Sequence, residues 1–375
     1  MSLAAPHGEI GGTFGFQAPM HIPDGYLSPS SCAALYAACA PFWYGALRRL
    51  QWTLNARLAP MVAVCAAFSF VIMMFNLPLP GGTTGHAVGM GIITVILGPW
   101  ASILAISVAL FIQAVFFGDG GITAFGANCL NMAVVGSLVA HVVYRAAAGR
   151  SPLSSPRRVV AAGLAGYAAI NAAALLAGIE FGLQPALFHD AAGAPLYAPY
   201  PLGIAVPAML VGHLTFAGLA EGFLAAGGVA WMQHSDPALL KINAPSEIGG
   251  WRLARPFWIG VAVLVLAAPL GLLAAGTAWG EWSAEDFARP EARQAMAAAS
   301  LHAVPPDQAP AGLARLAQAW RAPLPDYAPP FLRSAICGYL LCAALGVGLT
   351  LAASLGLYRL LNSKKPDVST PTRLS

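Results

Sequence analysis

Eight stretches of this chain are apolar over lengths that match the thickness of a lipid bilayer, which limits the fold more than any other feature. A helix needs about 20 apolar residues to cross the hydrocarbon core, and backbone lying there must satisfy its own hydrogen bonds. Spans are therefore predicted near 31–48, 58–77, 99–117, 122–143, 158–181, 202–232, 257–277 and 332–357. A ninth stretch, 87–98, is shorter and glycine-rich (Val88-Gly89-Met90-Gly91), and reads as a short or tilted helix buried among its neighbours. Counting it gives an all-α integral membrane protein of about nine transmembrane segments, seven in a first module and two in a second. Only 9% of the residues are charged, against about 25% in soluble domains. The 40 glycines and 30 prolines fall among apolar runs, as in membrane helices and their turns rather than in disordered chains.

Lysine and arginine set the expected direction of insertion. Arg48, Arg49 and Arg57 flank the first turn, and Arg145, Arg150, Arg157 and Arg158 fill the next basic loop. Lys241, Arg252 and Arg255 fill a third, and Arg359, Lys364 and Lys365 follow the last span. The alternate loops 78–86, 118–121 and 182–201 hold no lysine or arginine. Nine segments then put the N-terminus outside and the C-terminus in the cytoplasm of a multi-pass plasma (inner) membrane protein. The short segment 87–98 has to count as a crossing to keep that alternation. The polar, proline-rich loop 278–331 is expected outside, and its Arg289, Arg293, Arg315 and Arg321 do not conflict, because long loops translocate largely regardless of charge.

The boundaries that follow are a 1–19 extension, a 20–235 membrane module and a 236–255 cytoplasmic linker. A 256–358 two-helix module and a 359–375 cytoplasmic tail complete the chain. Residues 1–19 lack the basic start and apolar core of a signal peptide and are too short to span.

Several functions are excluded. The formal charge of +4 is spread thinly, with no basic stripe for nucleic acid. No Walker loop surrounds Lys241, Lys364 or Lys365, the only lysines, so no ATP site of that type exists in this chain. H-E-x-x-H and Gly-x-Ser-x-Gly are also absent. Cys32, Cys39, Cys65, Cys129, Cys337 and Cys342 form no Cys-x-x-Cys pair, and are expected to be inert packing residues.

Chemistry is concentrated in a few segments. Met20-His21-Ile22-Pro23-Asp24-Gly25-Tyr26-Leu27-Ser28-Pro29 is a turn entering the first span, either an ordinary cap or a site. Pro80-Gly81-Gly82-Thr83-Thr84-Gly85-His86 falls on the same outer side. Its histidine alone would read as structural, but two histidines on one membrane face point to a late first-row metal. Gly118-Asp119-Gly120-Gly121 precedes Asn128 and Asn131, which share a helix face as helix glue or as supports for a site. His213 and Glu221 lie within one span, about two turns apart, where ionisable groups are costly and face protein or water. A membrane metalloenzyme built on His86, His213 and Glu221 is the alternative from another class, and a helical scaffold whose histidines only pack is the blandest reading.

The Met20–Pro29 segment resembles the start of substrate-capture subunits of nickel and cobalt energy-coupling-factor transporters, the CbiM/NikM type. Gly81–His86, Leu97-Gly98-Pro99-Trp100 and the run from Gln113 to Asn131 resemble further motifs of that family in the same order. Residues 256–357, with Trp279-Gly280-Glu281-Trp282 and Pro325-Asp326-Tyr327, resemble a fused small subunit of the NikN or PDGLE type, although the Pro-Asp-Gly-Leu-Glu string is absent. The resemblance implies that Ni²⁺ or Co²⁺ is carried as transported substrate in a square plane of four nitrogens. The amine of Met20, the amide and ring nitrogens of His21, and His86 would supply them, with Asp119, Asn128 and Asn131 behind. It further implies a transmembrane coupling subunit and cytoplasmic ATPase subunits as partners, besides membrane lipid. Nineteen residues precede Met20 here, whereas the family's methionine is the first residue. The expectation is therefore that translation begins at Met20 or that the extension is trimmed.

Overall fold

The computed structural model describes residues 21–53, 58–235, 250–274 and 276–362, together with Pro237 and Leu240. Met20 and the extension before it, most of the 236–255 linker, Arg57 and the tail beyond 362 lie outside the described residues.

The chain is mostly helical, and a helix occupies every segment expected from hydropathy. These are α1 (Pro29–Thr53), α2 (Leu58–Ile72), α3 (Met90–Leu97), α4 (Pro99–Phe117), α5 (Phe125–Ala148), α6 (Pro156–Leu187) and α7 (Leu202–Ser235). The second module supplies α8 (Gly250–Ala267), which tightens into a 3₁₀ stretch to Leu273, and the long last helix Ala335–Asn362. Among the described residues six helices are long and apolar enough to cross a membrane: α4, α5, α6, α7, Ala254–Leu273 and Ala335–Leu361. Outward-facing Phe223, Leu266 and Leu273 are each at least 74% exposed, a surface suited to lipid rather than water.

The short α2 holds the two modules together. All but one of its 15 residues are buried, and it packs against α4, α8 and the last helix. Close approach depends on small residues. A Cβ on Gly346 would overlap the Phe70 ring at 2.0 Å, and one on Gly271 would meet the Met74 carbonyl oxygen at 2.1 Å. Five of the six cysteines are buried, as expected of packing residues, whereas Cys337 is exposed; all six are free.

The segment 87–98 is buried, but its helix has only eight residues, about 12 Å of rise against a core of about 30 Å. Gly89, just before it, is left-handed at φ 83°, and Glu221 of α7 closes the helix start. One Glu221 oxygen accepts the Val88 and Gly89 amides at 2.8 and 2.9 Å, and the other accepts Gly91 at 3.0 Å. A buried carboxylate thus meets the positive end of a half-helix, which is why an acid survives at that depth. This cap takes Glu221 out of the metalloenzyme alternative.

Two features were hidden from hydropathy. Residues 78–86 are not a plain loop: Leu77–Leu79 (β1) pairs antiparallel with Thr83–Gly85 (β2), and Gly81 and Gly82 turn the corner at φ 86° and 78°. Three-residue strands leave no periodic pattern to read. The loop 278–331 is likewise folded, carrying Pro290–Ala299 and Ala311–Leu316 as short helices. Its Trp279, Trp282, Phe287, Met296 and Leu313 bury against Tyr26, Leu27, Phe181 and Tyr200. The loop forms a cap over one end of the first module. Tyr26 donates its hydroxyl to the Trp282 carbonyl at 2.8 Å, and Gly312 donates to Leu196 at 2.8 Å.

Candidate metal site

The turn 21–28 is fastened to the 118–131 segment by an interlocking set of hydrogen bonds. Asn128 grips the Ile22 backbone on both sides, accepting its amide at 3.0 Å and donating to its carbonyl at 3.1 Å. Gly121 donates to the same carbonyl at 2.9 Å, and the Asp24 carboxylate accepts the Ile122 and Thr123 amides. The glycines leave room for this contact: a Cβ on Gly121 would sit 2.3 Å from the Asp24 nitrogen.

His21 is thereby buried and held in one orientation. Its Nδ1 lies 2.8 Å from Asp119 Oδ1, while its Nε2 is buried with no hydrogen-bond partner among the described residues. An imidazole that donates one nitrogen to a carboxylate keeps the other basic and open to a metal. The His86 ring stands edge-on to it, with centroids 4.9 Å apart and planes at 67°. His86 Nδ1 is 3.0 Å from the Ala87 carbonyl. Hairpin β1–β2 delivers His86 to this position, 65 residues on from His21.

Both rings line a cavity of about 90 Å³ whose wall also includes Asn131, Met132, His213, Trp279 and Glu281. Three wide turns of π-helix, at Gln113–Phe117, Cys129–Gly136 and His213–Ala217, occur in the helices around it. Such insertions cluster at functional sites because they re-aim side chains. Asn131 uses its amide to hold Glu180 at 2.8 Å. His213 is turned to its own helix, with Nδ1 2.8 Å from the Met209 carbonyl. His86 and His213 therefore share a wall, but Glu221 does not join them.

The second module enters the site directly. Tyr327 donates its hydroxyl to Asp119 Oδ2 at 2.6 Å, and Gln113 donates to the same two partners at 3.3 and 3.0 Å. Burial and the Asp119 charge push the Tyr327 phenol well above its ordinary range, so it remains a donor. Glu281 lies in the cavity wall with Oε2 unpartnered among the described residues, and burial, then Asp119, push its carboxyl well up.

Met20 lies outside the described residues, so the site is visible from His21 onward. Among the described residues, no three His, Cys, Asp or Glu side chains are grouped to hold a metal ion. His21 and His86 offer two adjacent imidazoles, and His213 is a third on the same wall, its Nδ1 turned to Met209. Of the expected supports, Asp119 touches His21, Asn128 fixes the residue after it, and Asn131 lines the same cavity. Sequence reasoning missed Gln113, Glu180 and the inward reach of Tyr327 and Glu281. An isolated glutamate or glutamine inside an apolar run was the available signal for the first two.

Residues 21–239 match the family model described as the cobalt uptake substrate-specific transmembrane region, and 255–363 match the PDGLE domain. The fused nickel transport protein NikMN of Rhodobacter capsulatus is 61% identical over 90% of this chain and 96% of its own length. The probable fused nickel transport protein LarMN of Lactiplantibacillus plantarum is 46% identical over 73% of this chain and 81% of its own. A crystal structure of a transition metal transporter, 46% identical, superposes with a TM-score of 0.55 over 58% of this chain and 94% of that one. The helices, the paired histidines and these similarities agree: the chain is a multi-pass membrane protein that belongs to the cobalt uptake substrate-specific transmembrane family, joined on one polypeptide to a PDGLE domain.

Proposed function

We propose that this chain is the substrate-capture subunit of an energy-coupling-factor importer, binding Ni²⁺ or Co²⁺ on the outer side and delivering it inward. The observation that carries this reading is the pair of buried imidazoles 4.9 Å apart, one of them held beside the Asp119 carboxylate. The donors are the amine of Met20, the amide and ring nitrogens of His21, and His86. Planar nitrogen donors suit Ni²⁺ and disfavour tetrahedral Zn²⁺. The nickel named in the Rhodobacter and Lactiplantibacillus relatives favours nickel as the cargo.

Chelation adds a geometric requirement. The amide and ring of one histidine can close a small ring on a metal only through Nδ1, the atom that faces Asp119 in this structure. Loading therefore turns the His21 ring about its Cβ–Cγ bond, bringing Nε2–H toward Asp119.

The amine donor requires a chain that begins at Met20, through initiation there or removal of residues 1–19. Nine segments, with the N-terminus outside and the C-terminus in the cytoplasm, put the His21–His86 end on the outer face. ATP hydrolysis belongs to cytoplasmic partners joined through a transmembrane coupling subunit. The relatives are transport proteins, and with Glu221 committed to capping α3 the metalloenzyme alternative is set aside.

Elemental analysis of purified chains beginning at Met20 and at Met1 tests the reading. One nickel or cobalt per chain in the Met20 form, lost in the Met1 form, is expected. No bound metal in either form would sink it.

A further inference from the structure

A second, larger hollow of about 430 Å³ lies between the modules, bordered by Asp24, Gly118, Thr277, Asp326 and Glu281. Glu281 is the acidic residue common to this vestibule and to the His21–His86 cavity. Two other carboxylates of the vestibule are committed: Asp24 accepts backbone amides from Ile122 and Thr123, and Asp286 accepts from Ser283 and Arg289. Glu281 differs from them. It is only 7% exposed, and among the described residues its Oε2 has no hydrogen-bond partner. A buried carboxyl oxygen without a partner is costly, and its position on a wall shared by two hollows gives that cost a use.

We propose that Glu281 is a transit ligand, taking a hydrated divalent cation from the vestibule and passing it to the nitrogen donors at His21 and His86. The inference rests on the capture function proposed above. Its chemistry is a ligand exchange with proton release: the cation displaces the Glu281 carboxyl proton to the water of the vestibule as the carboxylate replaces a water of the aqua ion, and imidazole and amide nitrogens then replace the carboxylate, the amide proton returning to it. Nickel prefers nitrogen over oxygen donors in the final plane, so the carboxylate holds the ion only on the way in. The second module thus supplies a step in loading and not merely a cover.

The test follows nickel loading by rapid mixing of Ni²⁺ with metal-free full chain begun at Met20, reading the absorbance of the planar complex. Final content comes from elemental analysis. Glu281→Gln is expected to reach the wild-type nickel content but at least about tenfold more slowly, the loss of one charge-assisted contact on the route. Glu281→Asp should fall between the two. Thr277→Trp, which fills the vestibule and leaves Glu281 intact, should also slow loading without changing final content, and it serves if Glu281→Gln does not fold. Wild-type loading rates in Glu281→Gln, or in a folded Thr277→Trp, would overturn the inference alone. Loss of nickel at equilibrium in a folded Glu281→Gln would also overturn it, making Glu281 part of the final site. A wild-type chain that takes up no nickel would overturn the capture reading and this inference with it.

Discussion

The Tyr327 hydroxyl donates to Asp119 Oδ2 at 2.6 Å, while the other oxygen of that carboxylate lies 2.8 Å from His21 Nδ1. Two residues 208 positions apart thereby form one relay, and the second module helps orient a histidine of the first. Tyr327→Phe keeps the ring that stacks on Phe117 and removes only the hydroxyl. Groups behind a metal ligand typically contribute about 10–100-fold in affinity, so nickel binding should weaken by that factor. Competition against a chelator of known affinity measures it, and an unchanged affinity would separate the PDGLE domain from the site.

Much of this is legible in the sequence. The helices follow from apolar length, and His21, His86 and Asp119 from their motifs, because turns rich in glycine and a lone histidine are unusual among apolar spans. Tyr327 and Glu281 were seen only as marks of the second module. Their inward reach depends on the folding of residues 278–331 against Tyr26 and Phe181, a long-range burial that no periodicity announces. Glu221 was visible as an acid within a span, yet its cap on α3 could not be read, since the half-helix it closes lies more than 120 residues earlier.

Two histidines on one wall carry different expectations. His86 faces His21 edge-on, whereas His213 Nδ1 is 2.8 Å from the carbonyl of Met209 one turn earlier. His86→Ala should abolish stoichiometric nickel retention, and His213→Ala should leave the equilibrium content intact. Elemental analysis of both variants decides, and nickel lost only from His213→Ala would move the site across the cavity.

Asp326 gives the cap a pH dependence. Burial, then the Asp119 charge, raise its carboxyl from 3.8 to about 6. A carboxyl raised in the folded state favours folding while protonated. Its contribution is fully present below pH 3.8 and is lost as pH rises through about 6. At pH 7 the ionised group therefore weighs against the folded cap, by up to about 2 kcal/mol after allowance for its partial exposure. Asp326→Asn removes the charge, and asparagine tolerates the left-handed φ of 54° found there. The variant should melt a few degrees higher than wild type at pH 7 and about equally at pH 4. Equal melting at both values would show that Asp326 is not strained by its burial.

Gly120 sets the steric condition that bears directly on His21. Its φ is +86°, and an added Cβ would stand 3.0 Å from His21 Cβ and 3.1 Å from Asn128 Nδ2. Both neighbours are fixed, His21 by Asp119 and Asn128 by the Ile22 backbone, so neither can yield without moving a donor. Gly120→Ala costs about 1–2 kcal/mol for the left-handed backbone alone, and the contact pushes His21 away from Asp119. Nickel affinity should fall at least about tenfold, while Gly82→Ala should leave affinity nearly unchanged. Gly82 also has positive φ, at +78°, but its Cβ would meet nothing within 4 Å. The pair separates backbone strain from displacement of the ligand, because both substitutions carry the first and only Gly120→Ala carries the second. Equal losses of nickel affinity would assign the effect to strain and remove Gly120 from the support of His21.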